Sequence, residues 1–233
     1  MRAMLLSLSL FVLAAIAPAN AQQAPLRGLT EGVEYRLIEG GAPYRPLPGK
    51  VEVAEIFAYW CNHCANFEPM LDAWKRTLPN TANFVAVPLV SSQDDAYGRI
   101  FFAAEASRSL SVLHPRLFKA IHETSELPQA PRLEQVTAFA VKVPGINSNA
   151  LKAALADDVK LSERLAHARQ FAQRSDIPGT PSLVVAGRYL VLGNSYDNLL
   201  GNARKIVDAL TPASSKPAGK RPAGKPATPK SRS

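Results

Sequence analysis

The chain has 233 residues, only two cysteines and a formal charge of +8. The charge does not describe a basic folded surface. Six cations, Lys216, Lys220, Arg221, Lys225, Lys230 and Arg232, lie after residue 211 with no acid among them, and setting these and Arg2 aside leaves the body one positive charge. A nucleic-acid-binding body is excluded on that distribution, and the basicity belongs to the tail.

The chain opens with Arg2, an apolar run from Met4 to Ala17 and the small residues Ala19 and Ala21. This reads as a secretory signal over 1–21, cleaved after Ala21. The run is shorter than the roughly 20 residues that span a bilayer, so cleavage is expected rather than anchoring. No later stretch is long and apolar enough to cross a membrane, and the mature protein is expected to be soluble in an oxidising compartment.

After an extended lead-in, residues 31–38 alternate as a short strand, and Pro43, Pro46, Pro48 and Gly49 make a turn-rich connection. Residues 51–59 (VEVAEIFAY) are apolar on both alternating sets, which predicts a central strand covered on both faces. A helix is predicted from Cys61 or Asn62 to about Arg76, on the spacing of Phe67, Met70, Leu71 and Trp74, with a kink at Pro69. A second strand follows over 84–90. From 95 to 174 the chain reads as helices separated by Pro115, Pro128, Pro131 and Pro144-Gly145. A hairpin around Gly187-Arg188 joins strands at 183–186 and 189–192, and a helix over 197–210 closes the body. The tail has no apolar residue larger than alanine and is expected to be disordered.

The two cysteines form the motif Cys61-Asn62-His63-Cys64. A disulfide between them would close too small a loop to stabilise the fold much, which favours redox chemistry over architecture. A reactive thiol must ionise near neutral pH, below the value of about 8.5 for free cysteine. A helix start supplies unpaired N–H groups and the positive end of a dipole to a sulfur at Cys61. His63 adds a hydrogen-bond donor or a positive charge. Cys64, three residues on, faces the same way and can resolve a mixed disulfide made at Cys61. The alternative is half of a zinc site. Only His114, His122 and His167 remain as further histidines and none forms a second paired motif, so no metal is expected.

The stretch Glu55-Ile56-Phe57-Ala58-Tyr59-Trp60-Cys61-Asn62-His63-Cys64 and the later stretch Ile177-Pro178-Gly179-Thr180-Pro181-Ser182-Leu183-Val184-Val185 resemble, in this order and with a helical insert between them, the thiol:disulfide interchange protein DsbA family. The resemblance covers residue 31 to about 210. It implies an α/β, thioredoxin-like fold with an inserted helical domain. The thioredoxin-like unit is then divided between 22–94, which carries the cysteines, and 175–210, which carries Pro181. The insertion occupies 95–174 and the basic tail 211–233. The resemblance also implies a cis Thr180-Pro181 peptide facing the disulfide and contacting substrate, whereas the residues alone favour an ordinary trans turn proline. Glu55 matches a buried acidic position that would handle protons for Cys64, the alternative being a carboxylate reaching solvent at the strand margin. Glu68 matches another acidic position, with a solvated helix charge equally open. Two departures stand out. Asn62 replaces the usual proline, and Pro69 is more thioredoxin-like, which leaves oxidising strength open.

The expected activity is a periplasmic dithiol oxidase without cofactor, acting as a monomer on reduced, unfolded exported proteins. The resemblance implies reoxidation by a membrane DsbB-type quinone-linked oxidase. Phe57, Tyr59 and Trp60 are candidates for supporting the active-site end of the strand, although core packing is the stronger reading for at least two of them. The competing functions are an isomerase or reductase, and a non-catalytic chaperone for exported chains. Too few residues precede the first strand for a separate dimerisation domain, which favours the oxidase.

Overall fold

The computed structural model describes residues 25–211; the leader at 1–21 lies outside them, as does the tail beyond residue 211. In chain order the elements are β1 (Tyr35–Leu37), β2 (Val51–Phe57), α1 (Asn62–Lys75), β3 (Ala82–Pro88), α2 (Ala96–Ala106), α3 (Leu110–His122), α4 (Leu133–Ala140), α5 (Ser148–Leu155), α6 (Asp158–Ser175), β4 (Ser182–Val185), β5 (Tyr189–Val191) and α7 (Tyr196–Leu210). The strands form one sheet in the order β1-β5-β4-β2-β3. β2 and β3 run parallel through the α1 crossover, and β4 joins the other side of β2 antiparallel.

β2 therefore lies within the sheet with both faces covered, as its two apolar sets require. Val53, Leu183 and Val185 share one core with Phe67 and Leu71 of α1 and Ala203, Ile206 and Val207 of α7. Ala54 and Ile56 belong to a second core built with the helices between β3 and β4, where Phe101, Phe102, Leu117 and Phe171 are buried. Phe67 and Leu71 are four apart, so both fall on the buried face of α1.

The structure adjusts several expected boundaries. The first strand shrinks to three residues because Gly32 adopts φ +85 and turns the chain, leaving only a bridge between Glu31 and Tyr35 before it. β3 begins at Ala82, where it registers with Val51, and ends at Pro88. Pro115 does not separate helices but lies inside α3; the break falls before it, where Arg108 takes a left-handed φ of +58. The β4–β5 turn is centred on Ala186-Gly187 rather than Gly187-Arg188, with φ of +51 and +66, the paired positive values of a tight hairpin turn. Any side chain at Gly187 would also meet the backbone of Ala42 at 2.0 Å.

Candidate active site

β2 delivers the chain to the site and α1 begins there. Cys61 is the N-cap of α1, in extended conformation with φ −86 and ψ 115. This position brings the otherwise unpaired first N–H groups of α1 to the sulfur. Both cysteines are free thiols. They are not equivalent, since Cys61 retains 8% of its surface and Cys64 only 1%.

Electrostatics widens that difference. At Cys61 burial opposes the anion, but hydrogen bonding with Thr180 and Cys64, together with the backbone N–H groups of Cys64 and His63, outweighs it and holds the thiol below its ordinary range. At Cys64 burial dominates, the hydrogen bond and charge of Cys61 add to it, and the thiol is pushed far above the ordinary range. One sulfur is shifted towards the thiolate and the other towards the thiol.

The second half of the site comes from the segment before β4. The Thr180-Pro181 peptide is cis. The Cys61 thiol approaches the Thr180 carbonyl oxygen at 3.3 Å, joining positions 119 residues apart. His63, Thr180, Pro181, Ser182 and Tyr196 line a groove of about 290 Å³ along the cis peptide.

Glu55 is 1% exposed on β2, in register between Ala86 of β3 and Leu183 of β4, and does not reach solvent at the strand margin. Burial raises its carboxyl well above the usual range, and the charge of Glu68 adds to the effect. It lines a cavity of about 450 Å³ with Glu68, Asp72, Lys75 and His114. Glu68 is buried too, with Lys75 at 3.6 Å and His114 at 3.5 Å, so it is not a solvated helix charge. The other acid of β2, Glu52, accepts the backbone N–H groups of Tyr44 and Arg45, each at 2.6 Å, and ties down the turn-rich connection.

Phe57 and Tyr59 are buried while Trp60 stands 45% exposed immediately before Cys61. Tyr59 sits in an aromatic cluster with Phe57, Tyr97 and Phe118. Two histidines of α3 hold it: His114 Nδ1 lies 2.7 Å from its hydroxyl, and His122 Nε2 lies 2.6 Å from its carbonyl oxygen. In sequence these histidines register only as spare metal ligands. Their role depends on α3 folding back over the end of β2. Among the described residues, no three His, Cys, Asp or Glu side chains converge on a metal-sized site. Tyr196, which contacts His63 from α7, also escapes a reading of the sequence; 133 residues separate them and no local pattern links them.

No family model matches the chain. The thiol:disulfide interchange protein DsbA of Bordetella pertussis is 32% identical over 175 residues, covering 72% of this chain and 79% of that protein. The chain belongs to the thiol:disulfide interchange protein DsbA family. A DsbA of Pseudomonas syringae pv. tomato is 29% identical over 192 residues, covering 81% of this chain and 85% of that protein. The crystal structure of the oxidoreductase DsbA from Xylella fastidiosa superposes with a TM-score of 0.71 at 32% identity, over 77% of this chain and 96% of that one. The fold is accordingly the α/β thioredoxin-type fold of DsbA proteins, and the protein is a thiol–disulfide oxidoreductase. No helix among the described residues is long and apolar enough to cross a membrane.

Proposed function

We propose that the protein introduces disulfide bonds into reduced, unfolded exported proteins through the Cys61–Cys64 pair, in the periplasm, after removal of residues 1–21. The observation that carries this reading is the unequal placement of the two sulfurs, Cys61 at the N-cap of α1 against the cis Thr180-Pro181 segment and Cys64 fully buried, which shifts their acidities in opposite directions. A stabilised Cys61 thiolate makes a good leaving group, and stabilising the reduced form makes the couple more oxidising.

In the oxidised pair, a client thiolate attacks Cys61 Sγ. The Cys61–Cys64 bond breaks, a client–Cys61 disulfide forms, and Cys64 leaves with the electron pair. Because the site disfavours an anion at Cys64, that sulfur takes up a proton. Glu55, whose carboxyl burial pushes well above the usual range, is the group we assign to proton handling. A second client thiolate then attacks the client sulfur, releases Cys61 as thiolate and leaves the client with a disulfide. Two electrons remain on the pair, and a membrane DsbB-type quinone-linked oxidase removes them. The carbonyl beside Cys61 and the groove at Thr180 and Pro181 support a role in receiving client backbone. His63, at the second position of α1 and in that groove, is assigned to supporting the thiolate. The protein acts as a monomer.

Cys61→Ser tests the reading. It should abolish turnover of a reduced model substrate, and persisting activity would overturn the assignment. Equilibrium titration of the pair against glutathione tests the direction: a potential as low as the roughly −270 mV of thioredoxin would make the protein a reductase.

A further inference from the structure

Where α1 meets α7, one phenol holds two atoms of one histidine. The Tyr196 hydroxyl donates to the His63 carbonyl oxygen at 3.1 Å and lies 3.2 Å from His63 Nδ1. A hydroxyl has one hydrogen to give and lone pairs to accept with. With its hydrogen committed to the carbonyl, the oxygen can only accept from Nδ1. In this arrangement Nδ1 carries a proton, as the neutral Nδ1–H tautomer or as the imidazolium. An exposed histidine that would otherwise rotate freely is thereby fixed beside Cys61 and Cys64 in the first turn of α1.

The phenol is itself held in place. Tyr196 opens α7 directly after Ser195, whose side chain accepts from the Asn198 N–H and caps the helix. Its ring leans on Phe67, a fully buried residue of α1, with centroids 5.1 Å apart. The hydroxyl is thus positioned by packing that does not depend on the hydroxyl. Burial first, and then the charges of Cys61 and Cys64, hold the phenol above its ordinary range, so it keeps its hydrogen beside the thiolate.

We propose that Tyr196 is a positioning residue of the exchange site: its hydroxyl fixes His63 in an Nδ1-protonated form, stabilises the Cys61 thiolate through it, and so sets the oxidising strength of the pair. This rests on the assignment of Cys61 and Cys64 above and names what regulates that same site.

Tyr196→Phe in the full chain retains the ring against Phe67 and deletes the hydroxyl. The readout is the reaction of the oxidised pair with two glutathione thiols to give the dithiol and glutathione disulfide, together with titration of Cys61 by thiolate absorbance. The variant should raise the Cys61 pKa and lower the equilibrium constant about two- to tenfold, the scale of one hydrogen bond. Thermal unfolding of the oxidised form should stay unchanged. In a His63→Ala background, Tyr196→Phe should then change neither quantity. Native titration and equilibrium in Tyr196→Phe would overturn the proposal, as would a full effect without His63. A native protein that fails to exchange with glutathione at all is a different result, and removes the assignment of the cysteines themselves.

Discussion

Cys61 and Cys64 stand three residues apart and titrate in opposite directions because each meets a different stretch of the backbone. Cys61 caps α1 and faces its N–H groups, whereas Cys64 is already inside the buried face of the helix. Glu55 lets the cost of such burial, with the nearby charge of Glu68 added to it, be measured. Its carboxyl is raised above the ordinary value of 4.5, so its favourable contribution is present below that pH and lost as pH rises towards the folded value. At neutral pH the loss persists, because an unfolded chain ionises the group freely. Glu55→Gln should therefore raise the melting temperature at pH 7 and leave it nearly unchanged near pH 4, as scanning calorimetry at both values would record. A variant less stable than the native protein at pH 7 would contradict this. The motif itself is readable at this scale, since Cys61, His63 and Cys64 are close together in the chain. Tyr196 and the burial of Glu68 are not, because each depends on partners brought in by distant helices.

Among the elements, β2 and α1 are legible because their patterns are strong: apolar residues on both sides of a strand, and Phe67 and Leu71 at helical spacing. Boundaries depart from expectation where a single backbone conformation decides them. Gly32 cuts the first strand short, and Arg108 makes the helix break that was expected at Pro115. α3 has a further role that its sequence does not announce. Its histidines hold the hydroxyl and the carbonyl of Tyr59, anchoring the segment between β2 and Cys61. His122→Ala would strip the Tyr59 carbonyl of its 2.6 Å partner and should cost about 1–3 kcal/mol, the range for a buried polar group left unpaired. Urea unfolding measures the loss, and a variant as stable as the native protein would show that the contact contributes nothing.

For the whole molecule, the sulfurs couple redox state to stability through pH. The Cys61 thiol is depressed in the fold, so its contribution is complete above the unfolded value of about 8.5 and is lost as pH falls through the folded value. Cys64 is raised, so its contribution is complete below about 8.5 and is lost as pH rises beyond it. The stability of the reduced protein relative to the oxidised one should therefore climb as pH rises from the depressed Cys61 value towards about 8.5, and then stop climbing. Parallel urea unfolding of the two forms measures this, and a difference that fell over that interval would contradict it.

The meeting of Cys61 with Thr180 also has a consequence for timing. A chain made from its N-terminus presents Cys61 long before the residue 119 positions later that completes its surroundings. Until that late segment arrives, the nascent polypeptide carries a sulfur without its full setting, and the redox partner it is meant to be for others exists only once its own last strands have been laid down.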